Sequence, residues 1–199
     1  AQGLSYTSKH DFESFEWNST VADPGSPDFD TARSFEFTLD SPQRLTAGLG
    51  LRPRPNWTLA LDVTWINYSD AEGFAGGNLD PRTGTIDGLG WEDIVVVAGG
   101  LEVRRPGGLA LRAGFNISES AVPEELAFFN IQAPAIQEDH LTLGVGIPTG
   151  PVEVNLGYYH VFAAKVSGPF LSPAGPVPGS QVTSEISIDS LLLSLSFRK

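Results

Sequence analysis

Three histidines, His10, His140 and His160, are the side chains of this 199-residue chain best suited to moving a proton near neutral pH. A Ser–His–Asp triad is assembled in space rather than in sequence, and His140 follows Asp139 in "EDH". No G-x-S-x-G elbow accompanies them. The reading is hydrogen bonding at loops and strand ends, with no catalytic residue. Asp80 and Asp87 stand in "NLDPRTGTIDG", whose spacing does not match a calcium loop. That segment reads as a solvated loop, with no metal bound. Cysteine is absent, which excludes a disulfide framework and a thiolate metal site. No cofactor is implied. What remains is electrostatic: Asp62, Arg112, Glu153 and Asn155 each sit among apolar residues in an alternating row.

Those rows are the elements that must position the polar groups. In "NWTLALDVTWINYS", Trp57, Leu59, Leu61, Val63 and Trp65 alternate with Thr58, Ala60, Asp62 and Thr64. Side chains of a strand point to opposite faces with period two, so one face is apolar and the other polar. The pattern recurs in "FEFTLD", "LTAGLGL", "DIVVVAGGLEV", "LALRAGFNI", "HLTLGVGI", "VEVNLGYYHVF" and "SLLLSLSF", and "GLSYTSKHDFESFEW" opens the chain. With "FEFTLD" and "LTAGLGL" read as one long strand, eight strands are expected. Tight turns, "RPRPN" (52–56), "RRPGG" (104–108) and "PTGP" (148–151), alternate with long connections at about 18–33, 70–90, 118–139 and 166–184. All tight turns therefore fall at one end of the strands and all long loops at the other.

That sorting is the pattern of an outer-membrane barrel, with short periplasmic turns and long extracellular loops. No apolar run reaches the length of a spanning helix, which leaves a closed β-structure as the only way to cross a bilayer. Charged residues are 18% of the chain, few for an ordinary soluble surface, and the net charge of −12 argues against a nucleic-acid partner. Trp57 and Trp65 are separated by roughly 26 Å along a strand rising about 3.3 Å per residue. With a tilt of about 40° that becomes roughly 20 Å along the membrane normal, close to the apolar band of such barrels. Trp57, Trp65 and Tyr158 are accordingly expected in the aromatic girdle. The register predicts Leu59, Leu61, Val63, Leu111, Ala113, Leu143, Val145, Val154 and Leu156 facing lipid. It predicts Asp62, Arg112, Thr142, Glu153 and Asn155 facing inward, together with Ile66, Tyr68, Ile94, Tyr159 and Val161 as candidate ligand-lining residues. The apolar loop pieces "AVPEELAFF" (121–129) and "APAIQ" (133–137) are placed to cover the barrel mouth.

The order of several motifs resembles the C-terminal part of the FadL/TodX family. The segments are "GLSYTSK" (3–9), "TLALDVTWINYSD" (58–70), "GLGWEDIVVVAGGLEV" with its Trp91 and Asp93, "LRAGFNISESAVPEELAFFNIQAPAIQEDHLTLGVGI" (111–147) and "YYHVF" (158–162). The resemblance implies an outer-membrane transporter of long-chain fatty acids and other hydrophobic compounds, located in the bacterial outer membrane among lipid and lipopolysaccharide. Family members are about twice as long, with fourteen strands and an N-terminal hatch. The chain also ends "SFRK" rather than on the family's terminal aromatic, and Phe197 is the counterpart.

The expectation is a single all-β domain over 1–199, an antiparallel transmembrane barrel segment of eight strands. It would serve passive uptake of hydrophobic small molecules, with a missing N-terminal half supplying the other strands. A rival reading is a small structural or adhesive barrel closing on itself, and a third is a soluble β-sandwich binding module. Ladder bonds between the segments near Ser5 and Leu193 would decide for the closed rival.

Overall fold

The computed structural model describes residues 1–80, 86–172 and 174–197. The "NLDPRTGTIDG" segment (78–88) and the "SFRK" terminus (196–199) therefore lie partly outside the described residues.

Among the described residues, eight antiparallel strands form one sheet: β1 (Gln2–Thr7), β4 (Gln43–Arg54), β5 (Trp57–Asn67), β6 (Ile94–Arg104), β7 (Ala110–Ile117), β8 (His140–Thr149), β9 (Val152–Gly168) and β12 (Val182–Phe197). Two small ribbons stand outside it, β2 (Phe15–Thr20) with β3 (Ala32–Phe37), and β10 (Leu171–Ser172) with β11 (Gly175–Pro176). Each strand of the main sheet pairs with its neighbour in chain order, a meander that local hairpins can build. The tight turns carry the chemistry such turns need. Pro55–Asn56 joins β4 to β5, and Pro53 falls at a register irregularity where a missing N–H is tolerated. Gly107, Gly108 and Gly150 adopt positive φ in the other two turns, where an L side chain would be strained.

The sheet is open. Among the described residues, β1 bonds only to β4 and β12 only to β9, so no ladder joins the segments near Ser5 and Leu193.

Two departures from strict alternation reshape the expected strands. The first strand was expected to run unbroken to about residue 17 and the second to begin near 34. Instead, pairing lapses on both sides of the His10–Ser41 bridge and resumes in the β2–β3 ribbon with Phe15 opposite Phe37. Thr7 pairs Arg44 and His10 pairs Ser41 in one register, whereas Phe15 with Phe37 is displaced by one residue. The ribbon thus continues β1 and β4 across a one-residue insertion in the first strand. The second departure is a bulge in β9. Ile188 pairs Val161 but Ile186 pairs Ala164, so Phe162 and Ala163 together oppose one residue of β12.

The long connections fold over one face of the sheet, which is therefore its inner face. Val161 and Ala110 have no exposed surface, and Val122, Ala127, Ile136, Ala164 and Val166 form the buried core. By simple alternation Ala164 and Val166 would point outward. The β9 bulge turns them in, beneath the 118–139 connection.

Candidate functional site: the inner wall and its cap

The inner face has three zones along the strands. At the short-turn end, a charged network spans β6 to β9. Arg112 donates from Nε to Glu102 at 2.8 Å, from Nη1 to Asn155 at 2.8 Å and from Nη2 to Glu153 at 3.2 Å. Arg104 closes the circuit, 2.8 Å from Glu102 and 3.4 Å from Glu153. Glu102 and Arg112 face each other across the β6–β7 hairpin. To reach β9, Arg112 must cross β8, and β8 offers Gly144 and Gly146 there. A Cβ on Gly146 would stand 2.7 Å from Glu153 Oε1 and 3.0 Å from Arg112 Nη1. Glycine at 146 is thus what lets the network exist. Two arginines meet two glutamates, so this end of the wall is strongly polar yet locally neutral. Glu153 is buried, and such a carboxylate is tolerated only when paired.

The middle zone is nearly bare of side chains. Gly48, Gly50, Ala60, Ala98, Gly100, Gly114, Gly144 and Gly157 share the inner parity. Of these, Ala60, Ala98, Gly100 and Gly114 floor a groove of about 480 Å³ lined also by Asp62, Asn116, His140, Thr142 and Tyr159. Asp62 lies over Gly48, where a Cβ would collide with its carboxylate. The Tyr159 hydroxyl and His140 Nδ1 are 2.8 Å apart with the rings edge to face. His140 Nε2 is buried and has no hydrogen-bond partner among the described residues.

The third zone is the cap at the long-loop end. Tyr68, Phe74 and Trp91 make a three-ring cluster with centroids 4.7–5.2 Å apart. Burial pushes the Tyr68 phenol up, with the Arg44 guanidinium opposing it. The Trp91 indole donates to Asn130 Oδ1 at 2.6 Å, and the Asn130 amide donates to the Leu89 and Leu126 carbonyls at 2.9 and 3.0 Å. Asn130 is completely buried. Glu92 N–H donates to the Ala121 carbonyl at 2.8 Å, a second link between the two connections. The cap is therefore a packed unit with fixed polar contacts.

The outer face is apolar over rows of eight residue steps on β5 and β6 and six on β8 and β9. Rows end at Trp57 and Trp65 on β5, Val103 and Val95 on β6, Ile147 and Leu141 on β8, and Val152 and Tyr158 on β9. Beyond them toward the long loops come Asn67, Asp93, Asp139 and His160 on the same parity. Leu61, Leu143 and Leu156 are among the exposed large hydrophobics of these rows. Trp57 lies under the Arg54 guanidinium at 5.3 Å. The Tyr158 hydroxyl donates to Asp189 at 2.5 Å, and His160 Nδ1 is 2.8 Å from the same oxygen. Burial raises the Asp93 carboxyl, but the Ser69 N–H and the Asn67, Ser69 and Trp65 side chains outweigh it, holding its pKa below the ordinary value.

Each residue singled out from sequence has a definite place. Asp62, Arg112, Thr142, Glu153 and Asn155 share the inner parity, and Arg112, Glu153 and Asn155 are in contact. Ile66 pairs Ile94 on that face, and Tyr68 follows two residues on. Tyr159 borders the groove, whereas Val161 is wholly covered. Trp57, Trp65 and Tyr158 are on the outer parity. The "AVPEELAFF" and "APAIQ" pieces supply Val122, Ala127 and Ile136 to the core beneath the cap. Sequence reasoning missed Asn130 and Phe74. It also missed Glu102 as a partner of Arg112 and Arg104 as the second cation of the network, although counting back from the 104–108 turn sets Glu102 opposite Arg112.

No family model matches the chain, and no curated protein matches it either. Solved structures do. The toluene transporter TodX of P. putida superposes with a TM-score of 0.59 at 15% identity, covering 98% of this chain and 45% of that one. A Pseudomonas aeruginosa FadL homologue gives 0.63 at 14% identity, covering 98% and 47%. The Ralstonia pickettii toluene transporter TbuX gives 0.55 at 14% identity, covering 100% and 44%. The chain thus spans less than half the length of these structures, and what it shares with them is the fold: an eight-stranded stretch of β-barrel wall.

Proposed function

We propose that the chain is part of a bacterial outer-membrane barrel that lets hydrophobic small molecules, long-chain fatty acids or hydrocarbons, pass inward without chemical change. The observation that carries this reading is the contrast between the two faces. Outside, apolar rows of similar length end in polar residues, as a wall crossing a bilayer needs. Inside, a floor of glycine and alanine leaves an open groove beneath a cap of aromatic and aliphatic side chains. Such a space shelters a greasy solute from the lipopolysaccharide layer that excludes it. Lipid and lipopolysaccharide are then the surroundings of the outer face. The open edges at β1 and β12 call for strands to cover them, because an unpaired backbone group in lipid costs several kcal/mol. Another stretch of the same barrel, the missing N-terminal half, is the proposed source. The names and sizes of the similar structures support both points. The rival self-closed barrel requires a β1–β12 ladder, and those strands bond elsewhere.

The test is accumulation of radiolabelled oleate and toluene by bacteria that make the protein and by bacteria lacking it. Faster accumulation of either compound with the protein supports the proposal. Equal rates for both compounds would overturn it.

A further inference from the structure

The β2–β3 ribbon carries an aromatic face that nothing among the described residues covers. Phe15 pairs Phe37 and Trp17 pairs Phe35, so four aromatic rings share one side of two strands. Phe15 and Trp17 lie 5.9 Å apart and Trp17 and Phe37 6.5 Å apart. Phe15 is 56% and Trp17 50% exposed, values typical of rings without a neighbour on their outer side. Arg33, opposite Ser19 on the same side, sets its guanidinium 5.4 Å from the Phe35 ring. Glu16 and Glu36 pair on the other side. The ribbon therefore has one aromatic, cationic face and one acidic face.

Register fixes where the aromatic face looks. On the β3–β4 side the alternation runs back from Leu45 through Gln43, Ser41 and Leu39 to Phe37 and Phe35, all of outer parity. On the β1–β2 side the extra residue between His10 and Phe15 flips parity and brings Phe15 and Trp17 to the same side. The aromatic face is thus continuous with the lipid-facing rows and resumes after the polar break at Gln43 and Ser41. Phe37 is six residues beyond Gln43, at most roughly 20 Å of extended chain at about 3.3 Å per residue, or roughly 15 Å along the membrane normal at a tilt of about 40°. In the membrane orientation proposed above, that distance carries it past the acyl layer and into the sugar layer.

We propose that this face docks the phosphorylated core oligosaccharide of the surrounding lipopolysaccharide. Aromatic rings present flat apolar surface to the C–H faces of sugars, Ser19 supplies an edge hydrogen bond, and Arg33 meets core phosphate. The acidic face, which phosphate would repel, turns away. The inference rests on the outer-membrane reading and goes beyond the transport reading, since it assigns a surface outside the passage.

The test is hydrogen exchange of the native protein in vesicles of lipopolysaccharide with a complete core. Vesicles of core-free lipid A and detergent micelles are the comparisons. Amides of residues 15–20 and 32–37 exchange about tenfold more slowly with the complete core only. Equal exchange in the two vesicle types overturns the proposal. Protection already present in micelles assigns the face to a second copy of the chain, and protection induced by added dodecane assigns it to the hydrophobic cargo; either result overturns it too. Hydrophobic uptake measured in the core-free vesicles reports on the transport reading by itself, and it persists there even if the docking inference fails.

Discussion

The indole N–H of Trp91 and the side-chain carbonyl of Asn130, 39 residues apart in sequence, are joined by a 2.6 Å hydrogen bond inside the cap. The same Asn130 amide satisfies two main-chain carbonyls, so one buried side chain closes three contacts. Replacing Asn130 by Leu removes all three partners and leaves the indole N–H and the Leu89 carbonyl without them. An orphaned buried group costs about 1–3 kcal/mol. The expected outcome for Asn130→Leu is faster proteolysis within 118–139 and a red-shifted Trp91 emission, with the strands of the sheet still protected.

Gly168 tests the same cap from below. A Cβ there would collide with the Glu124 carbonyl oxygen and press on Ala127. Because the obstacle is backbone, it cannot rotate aside. Gly168→Ala is expected to unseat the 124–127 turn, raising amide exchange there while leaving the β8–β9 ladder unchanged.

The charged network yields a double-mutant test. Arg112→Met leaves the buried Glu153 with the longer Arg104 contact, a loss of about 1–3 kcal/mol after allowing for the partial exposure of Arg112. Adding Glu153→Leu removes that carboxylate. The double variant is expected to refold into detergent better than Arg112→Met alone, read from the fraction of folded band on a cold gel.

The two faces of the wall should answer differently to one charge. Leu61→Arg places a cation on the outer apolar row, at a cost of about 2–4 kcal/mol near a bilayer midplane. Thr142→Arg places it at the edge of the open groove of about 480 Å³ that Thr142 lines. Folding yield into lipid vesicles should fall sharply for the first and little for the second.

Asp93 makes a pH prediction. Its carboxyl is held below the ordinary value in the fold, so the folded state binds the proton less readily than the unfolded chain. Its contribution is fully present above the ordinary Asp pKa of about 4 and is lost as pH falls below it through the lowered folded value. Exchange of the Ser69 amide, which donates to Asp93 at 3.0 Å, should accelerate on acidification over that range. Asp93→Asn should weaken the dependence.

Much of this was legible in the sequence because a strand writes its two faces in alternate letters. Leu59, Asp62, Arg112 and Glu153 could be assigned sides from register alone, and the turns at 52–56, 104–108 and 148–151 fixed the ends. The cap was not legible in detail. Asn130 meets Trp91 through loop geometry, which has no period to read. The bulge at Phe162–Ala163 was equally silent, since "YYHVFAAKV" alternates plausibly in either frame. Arg112 could be placed inward, yet its reach to Asn155 depends on the missing side chains of Gly144 and Gly146, an effect of what neighbouring strands lack.

The bulge in β9 also makes the strand a wave that changes phase partway along. Below Phe162 the odd residues look inward, and above it Ala164 and Val166 do. A deletion of Ala163 would put the whole strand back in phase. Ala164 and Val166 would then stand two and four steps from Val161, inward by plain alternation, so the seat of the cap would survive without the bulge. The bulge thus lets the strand carry one residue more than alternation permits while the top of this wall keeps its inward side.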